Sequence, residues 1–289
     1  MPAPQRKPEW LKIRIPGGDR YRHVRRILKQ ECLHTVCESA RCPNMGECWE
    51  AGTATFMILG NVCTRGCAFC AVDRGNPDGA TDAREPDRVA EAAGQMGLDY
   101  VVVTSVTRDD LPDGGASMFA ATVRAVKEKI PGVLVEILIP DYLDEALATV
   151  TAAAPDVLAH NIEVVERLSP LLRHRRTSYA RSLQVLRTAG NLLTKSSIML
   201  GLGETATEIE ASMRDLREAD VDILVLGQYL QPTRAHAPVV EYVPPERFDE
   251  LAELGKEMGF GYVAAGPLVR TSYKAAEAYV RHRTPDGQD

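Results

Sequence analysis

The seven cysteines of this chain of 289 residues all lie between positions 32 and 70. Disulfide frameworks usually need an even number of cysteines in a small secreted chain, and structural zinc sites usually complete four ligands from C-x2-C pairs. Six of these cysteines instead form two groups of three, which indicates metal chemistry with incomplete ligand sets. The first triplet has the spacing C-x4-C-x5-C and the second C-x3-C-x2-C: Cys37, Cys42 and Cys48, then Cys63, Cys67 and Cys70.

Three thiolates on a cubane iron–sulfur cluster leave one iron without a protein thiolate. That iron can bind a substrate or cofactor, as the open position of a catalytic metal does. Each triplet therefore predicts cluster chemistry, and a non-catalytic zinc-stabilised protein is the alternative from another class. Cys32 fits neither triplet and follows a predicted helix around 21–30, so we expect a structural role for it.

From about Thr53 onwards, short apolar runs alternate with longer segments of helical period. Six strand–helix units predict a parallel α/β sheet, and we expect a partial (β/α)6 TIM-like barrel, with a doubly wound open sheet as the alternative. Barrel chemistry lies at the carboxyl ends of strands, and the second triplet directly follows the first predicted strand. The predicted strands cover 54–60, 100–106, 133–139, 156–162, 195–201 and 222–228, and the helices 86–97, 116–129, 142–153, 178–190, 205–219 and 245–258.

The barrel is expected to span 53–265, between an N-terminal cysteine-rich extension, 1–52, and a C-terminal tail, 266–289. Loops are expected in the extension after its one helix. The net charge of −6 makes the chain a poor general nucleic-acid binder. No run of about 18 apolar residues predicts a membrane span, and the first residues lack the apolar core of a secretory signal. We therefore expect a cytoplasmic protein without nucleic-acid or membrane partners.

The stretch from Cys63 to Cys70, which reads CTRGCAFC, resembles the signature of the radical S-adenosylmethionine (SAM) enzymes. The aromatic residue before the last cysteine, Phe69, is also typical of them. The resemblance implies that the three thiolates hold a 4Fe–4S cluster whose fourth iron binds SAM. The reduced cluster cleaves SAM to methionine and a 5′-deoxyadenosyl radical, so the cofactor carries the chemistry while the protein orients and shelters it.

Two further motifs narrow the resemblance to the lipoyl synthase family. The stretch LHTVCESARCPNMGECW at 33–49 is similar to that family's auxiliary-cluster motif, and RTSY at 270–273 is similar to its Arg-Ser-Ser-Tyr motif. By this resemblance Ser272 is the fourth ligand of a second 4Fe–4S cluster, and Thr271 stands where the family has its first serine. Further similar stretches lie at 104–115, 160–161, 201–204 and 227–233.

The resemblance implies a sulfurtransferase that acts on an octanoyl chain in amide linkage to a lysine of a lipoyl carrier domain. Two SAM molecules serve the insertion of sulfur at C6 and C8, and the auxiliary cluster is consumed as the sulfur donor. Ser272 is expected to be a labile catalytic ligand, because an alkoxide is a poorer partner for iron than a thiolate. The implied partners are an electron donor such as flavodoxin or ferredoxin and an iron–sulfur carrier for cluster repair. The alternative is another radical SAM enzyme with an auxiliary cluster, such as a different sulfur inserter.

The resemblance also implies the residues that bind SAM. Asn161 and Glu163, which end the fourth predicted strand, are expected to contact the ribose, and Thr104 and Ser105, which end the second, the methionine moiety. The stretch GLGETA at 201–206 also fits a dinucleotide fingerprint, but it does not follow the first strand. We expect the glycines of this stretch to let the backbone approach SAM closely, and an ordinary tight turn is the alternative interpretation. The predicted SAM-binding residues are Phe69, Thr104, Ser105, Asn161, Glu163, Gly201, Gly203 and Glu204.

Four charged residues or groups of charged residues complete the predictions. Arg270, beside the predicted serine ligand, is expected to orient the auxiliary cluster together with Tyr273. The basic run at 173–176 is either a solvated loop or a docking patch for an acidic carrier domain. Asp109 and Asp110 are expected to cap a helix and not to form an acid–base pair. Lys195 lies at the start of the fifth predicted strand, away from the catalytic rim.

Overall fold

The computed structural model describes residues 6–12, 17–51, 53–272 and 277–283. The strands in chain order are β1 (His34–Thr35), β2 (Thr55–Ile58), β3 (Val62–Cys63), β4 (Asp73–Arg74), β5 (Tyr100–Ser105), β6 (Leu134–Leu138), β7 (Val157–Ala159), β8 (Leu193–Leu200), β9 (Ile223–Gln228) and β10 (Tyr262–Gly266). Within these residues, eight strands form one sheet in the order β1-β2-β5-β6-β7-β8-β9-β10. All neighbours pair in parallel except β1 and β2, which are antiparallel.

Helices connect the parallel strands, as a (β/α) barrel requires. Their ends follow local sequence signals. For example, α4 begins at the Glu85-Pro86 step and is followed by Gly97 in the left-handed conformation (φ 64°). The helices are α1 (Asp19–Gln30), α2 (Val36–Ser39), α3 (Met45–Glu50), α4 (Glu85–Met96), α5 (Ala116–Lys129), α6 (Asp144–Thr151), α7 (Ser169–Leu172), α8 (Tyr179–Arg187), α9 (Ala206–Glu218), α10 (Pro245–Glu257) and α11 (Glu277–Arg283).

The six predicted strand–helix units are confirmed, and the sheet contains one parallel strand more than predicted. The additional strand, β10, pairs with β9 from Tyr262 to Gly266. Its sequence, YVAAG, is short and rich in small residues, so it lacks the β-branched run that marks the other strands. In the described part of the chain β1 and β10 are the two edges of the sheet, which makes the barrel a partial one.

The N-terminal extension packs directly onto the barrel. β1 pairs with β2, and the buried side chains of Val24, Ile27 and Trp49 belong to the same core as strands β2, β5 and β6. The expectation of loops after the first helix was wrong, because two short helices, α2 and α3, carry Cys37 and Cys48. Helices of four and six residues are too short to produce a periodic sequence signal.

The inner face of the sheet presents two successive layers of side chains. Alternate residues on a strand point to the same face, so the pairing register fixes which side chains lie side by side. Thr55, Val102 and Glu136 form the layer nearer the amino ends of their strands. One step of two residues towards the carboxyl ends, the next layer is formed by Met57, Thr104 and Leu138.

A membrane-crossing helix, which would have to be long and apolar, does not occur among the described residues.

Candidate functional site

A cavity of about 250 Å³ lies at the carboxyl ends of the barrel strands and is lined by all three cysteines of the second triplet. Cys63 ends β3, whose pairing with β4 brackets the loop that carries Cys67 and Cys70. Met57, Thr104 and Leu138, which form the layer nearer the carboxyl ends of the strands, also line this cavity. The predicted location after the first barrel strand therefore agrees with the structure.

The cysteine sulfurs of this cavity accept backbone hydrogen bonds. The Arg65 N–H donates to Cys63 Sγ and the His174 N–H to Cys67 Sγ, both at 3.4 Å. Burial raises the pKa of the Cys67 thiol, and it raises that of Cys70 to about 12. Hydrogen bonds to sulfur tune iron–sulfur clusters, and thiols must lose their protons when a metal binds. Three soft sulfur donors converging on one cavity fit such a cluster.

The loop of the second triplet is held from two sides. The Ala68 N–H donates to Leu172 O at 2.7 Å, and Ala68 O accepts from the Ala237 N–H at 2.8 Å. His236 donates through Nε2 to Cys70 O at 3.0 Å. Sequence reasoning missed His236, although the stretch 227–233 that precedes it is similar to the family.

Five predicted SAM-binding residues line the same cavity: Phe69, Thr104, Ser105, Asn161 and Glu163. Asn161 donates from Nδ2 to Glu163 Oε1 at 3.2 Å, and burial raises the pKa of Glu163. Ser105 Oγ and Asn161 Oδ1 are buried without a hydrogen-bond partner. Because buried polar atoms are normally paired, these two atoms indicate a polar ligand in the cavity.

The remaining predicted SAM-binding residues, Gly201, Gly203 and Glu204, are not among the residues that line the cavity. Glu204 instead accepts the backbone N–H groups of Gly201 and Leu202 and so closes the turn after β8. A Cβ at Gly201, where φ is +96°, would overlap the Gln228 side chain and Glu241 O. The glycine thus allows close packing against this chain's own atoms.

This packing role predicts a large loss of stability for Gly201→Ala. Gly190 is the matched control, because its φ is +73° but no atom lies within 4 Å of the place that a Cβ would take. We expect Gly190→Ala to cost about 1–2 kcal/mol, the conformational penalty alone. Gly201→Ala should cost roughly 1–3 kcal/mol more, the usual range for overpacking. Equal midpoints of urea unfolding for the two variants would contradict the packing role.

Asp109 and Asp110 do not cap a helix, so this prediction was wrong. Asp109 accepts two hydrogen bonds from Arg65, at 2.8 and 3.0 Å, and the hydrogen bonds from Arg108 lower the pKa of Asp110 to about 2. At the start of α5 the N-cap residue is Gly115, and Asp113 before it accepts from the N–H groups of Gly115 and Ser117. Ion pairs with Arg65 and Arg108 hold Asp109 and Asp110 instead, at 2.8 and 2.7 Å.

A second, smaller cavity of about 40 Å³ is lined by Cys37, Cys48 and Ser272. Cys37 and Cys48 of the first triplet therefore line a different cavity from the second triplet. Thr55, Val102 and Glu136 line the smaller cavity, so the two cavities follow one another along the same inner face of the barrel. The separation comes from the pleat, which places one layer of side chains at each level.

A buried ion pair forms part of the wall of the smaller cavity. Lys195 Nζ lies 2.9 Å from both carboxylate oxygens of Glu136, and Tyr100 donates to Glu136 Oε2 at 2.6 Å. Lys195 is indeed away from the larger cavity, as expected, but it lies beside the first triplet. The sequence did not predict that Lys195 pairs with Glu136, because the two residues are 59 positions apart.

The C-terminal segment reaches the first triplet through a hydrogen bond from Asn44. Its Nδ2 donates to Leu268 O at 2.6 Å, and Asn44 lies between Cys42 and Cys48. Arg270 donates to Val269 O at 2.6 Å, and burial lowers its pKa. Tyr273 lies outside the described residues. Three thiols, one hydroxyl and a buried guanidinium therefore gather around this region.

Not all cysteines take part in these sites. Cys32 is exposed just after α1, so it is not a core residue. Burial raises the pKa of Cys37 to about 11.

Among the residues that the structure describes, no three His, Cys, Asp or Glu side chains are grouped to hold a single metal ion. A cubane cluster sets a different requirement, because each thiolate binds its own iron.

The basic run at 173–176 divides into inward and outward residues. Arg173 lines the larger cavity and donates to Ser182 Oγ at 2.9 Å. Arg175 and Arg176 are exposed, and Arg176 lies 3.2 Å from Asp109. Arg175 and Arg176 are therefore the arginines of the run that face outwards.

The sequence matches the models of two protein families. The Radical SAM superfamily matches residues 57–216, and the N-terminal domain of lipoyl synthase of the Radical SAM family matches residues 3–42. Lipoyl synthase of Thermus thermophilus is 56% identical, with 96% of this chain and 88% of that protein covered. Lipoyl synthase of Methanocella arvoryzae is 54% identical, with 97% of each chain covered.

The fold is also similar to the folds of solved structures of other proteins. Methylornithine synthase superposes with a TM-score of 0.56 at 15% identity, over 78% of this chain and 79% of that one. The FeFe-hydrogenase maturase of Carboxydothermus hydrogenoformans gives 0.53 at 13% identity, over 78% of this chain and 65% of that one. Similarity at this level of identity concerns the fold alone.

Proposed function

The chain belongs to the lipoyl synthase family of the radical SAM superfamily, and from this premise we propose that it inserts two sulfur atoms, at C6 and C8, into an octanoyl group on a lipoyl carrier domain. Family membership makes it a radical SAM enzyme of lipoyl synthesis, with a 4Fe–4S cluster and SAM as cofactors. Membership in this family also excludes the alternative of a non-catalytic protein stabilised by zinc. The observation that carries the finer proposal is the gathering of Cys37, Cys48 and Ser272 around their own cavity.

The larger cavity is the proposed radical site. Cys63, Cys67 and Cys70 would hold the cluster, which with SAM supplies hydrogen-atom abstraction when bound. The unpaired oxygens of Ser105 and Asn161 are suited to accept hydrogen bonds from SAM. Burial around these atoms strengthens such bonds and keeps water away from the reacting carbon.

Apolar side chains in the larger cavity suit an acyl chain. Met57, Leu138 and Ile139 line it together with the cysteines. Burying aliphatic surface is favourable by about 0.8 kcal/mol for each methylene, so an octanoyl chain would be retained without any charged contact. Met57 follows Thr55 of the smaller cavity by one layer on the same strand, so an acyl chain against Met57 would lie one layer from the wall of the smaller cavity.

The smaller cavity is the proposed sulfur-donor site. Cys37, Cys42, Cys48 and Ser272 would be the ligands of an auxiliary 4Fe–4S cluster. Ser272 would be its labile ligand, since oxygen is a harder and poorer partner for iron than sulfur. Arg270 would orient this end of the chain. On this proposal the extension 1–52 and the tail 266–289 build the donor site against the barrel, 53–265. An electron donor such as flavodoxin or ferredoxin would reduce the cluster that binds SAM. An iron–sulfur carrier would rebuild the auxiliary cluster.

Metal analysis after anaerobic reconstitution tests this proposal. Two cubane clusters require about eight irons with equal sulfide per chain. About four irons would mean that the first triplet holds no cluster, and the proposed sulfur source would be lost. Stoichiometric zinc without sulfide would contradict cluster chemistry at both triplets.

We also propose that the two outward arginines of the basic run dock an acidic carrier domain. The double change Arg175→Glu with Arg176→Glu should lower kcat/KM on the carrier protein roughly tenfold, because charge complementarity raises association rates. Turnover of a short octanoyl-lysine peptide should not change. Arg20→Glu with Arg25→Glu on α1 introduces the same charge change at exposed positions and should affect neither substrate. Equal losses on carrier and peptide would contradict docking.

A further inference from the structure

Thr271 connects the predicted SAM-binding residues with the predicted serine ligand. Its hydroxyl lies 3.0 Å from Ser197 Oγ on β8, to which it donates, and it accepts from Asn161 Nδ2 at 3.3 Å. The next residue along the chain is Ser272, which lines the smaller cavity. One side chain therefore joins the larger cavity to the backbone that positions Ser272.

The amide of Asn161 is poised to respond to a ligand. Its Nδ2 is shared between Glu163 at 3.2 Å and Thr271 at 3.3 Å, both towards the long end of the usual range. Its Oδ1 is buried without a partner and belongs to a residue that lines the larger cavity. A ligand that donates to Oδ1 would fix the amide and polarise the bond from Nδ2 to Thr271.

The segment from Leu268 to Ser272 has a second anchor at its other end. Asn44, between two cysteines of the first triplet, donates to Leu268 O at 2.6 Å. The segment is thus held to the first triplet at one end and to the barrel strands through Thr271 at the other. A shift of the Thr271 hydroxyl must be taken up between these two anchors, where Ser272 is the adjoining residue.

We propose that Thr271 is a positioning residue that couples SAM binding at Asn161 to the placement of Ser272 at the auxiliary site. This inference rests on the proposed function, since it assumes SAM in the larger cavity and a ligand role for Ser272. Because coupling between two sites is reciprocal, we expect a change at Ser272 to alter the affinity for SAM through Thr271. A purely structural threonine would show no such dependence.

A double-mutant cycle on SAM affinity tests the coupling. The dissociation constant of SAM is measured by anaerobic equilibrium dialysis on the reconstituted full chain, on Thr271→Val, on Ser272→Ala and on the double variant. Loss of one hydrogen bond should weaken SAM binding roughly fivefold in Thr271→Val. Ser272→Ala should weaken binding when Thr271 is present and have no further effect when it is combined with Thr271→Val.

Two controls keep the result interpretable. Thr271→Ser retains the hydroxyl and should bind SAM within about twofold of the unchanged protein, since only a methyl group is lost. Thr122→Val removes a buried hydroxyl of the same kind, bonded to Met118 O at 2.8 Å within α5, and should leave SAM affinity unchanged. Far-UV circular dichroism of all variants verifies folding.

The coupling would be overturned if Thr271→Val bound SAM as tightly as the unchanged protein. It would also be overturned if the effects of Thr271→Val and Ser272→Ala were simply additive. Failure of the proposed function would look different, because the unchanged protein would then contain only about four irons while its SAM affinity could still be measured.

Discussion

Cys67→Ala is expected to abolish SAM cleavage and lipoyl formation, with a loss of at least about a thousandfold, because no side chain can replace the chemistry of the cofactor. Cys67 lines the larger cavity and its sulfur accepts a hydrogen bond from the His174 N–H. Two thiolates hold a cubane cluster far less well than three. Iron should fall from about eight to about four per chain, since Cys37 and Cys48 of the first triplet line a separate cavity.

Cys32→Ala is the matched control for this change. Cys32 is exposed and fits neither triplet, so the variant should keep about eight irons and full SAM cleavage. The account would be contradicted if Cys67→Ala still cleaved SAM. It would be contradicted equally if Cys32→Ala lost one cluster.

Ser272→Cys should retain both clusters but lose sulfur insertion by roughly tenfold or more, because a thiolate binds iron more firmly than an alkoxide and would not leave. SAM cleavage should continue, so the ratio of cleaved SAM to lipoyl product should rise. Liquid chromatography of 5′-deoxyadenosine and mass spectrometry of an octanoyl-lysine peptide give both quantities in one reaction.

Ser117→Cys is the matched control for the added thiol. Ser117 lies on the exposed side of α5, far from both cysteine triplets in the sequence. This variant should keep the ordinary ratio of cleaved SAM to product. Full lipoyl formation by Ser272→Cys would exclude a labile role for the serine.

The fold was predictable wherever the sequence carried a long periodic signal. The prediction for α5, residues 116–129, agrees with Ala116–Lys129, because apolar residues recur along its buried face. The strand β10 was missed because YVAAG reaches its place only through parallel pairing with β9. Tertiary pairing of this kind outweighs local propensity.

The candidate site was predictable in its residue types but not in its geometry. Cysteine spacing and the motif around Phe69 indicated two metal sites. The division into two cavities depends on strand register, which places Thr55 and Met57 in successive layers. This register could not be predicted from the sequence. The predicted approach of Gly201 to SAM stays a prediction, and the structure adds a packing requirement against Gln228 that the sequence did not indicate.

The origin of the inserted sulfur tests the central claim most directly. The auxiliary cluster would be rebuilt with isotopically labelled sulfide, and the enzyme would then perform one turnover on an octanoyl-lysine peptide with SAM and a reductant. Our account predicts a product in which two labelled sulfur atoms replace two hydrogens. A lipoyl product without the label, or a peptide that gains no sulfur while SAM is cleaved, would contradict it.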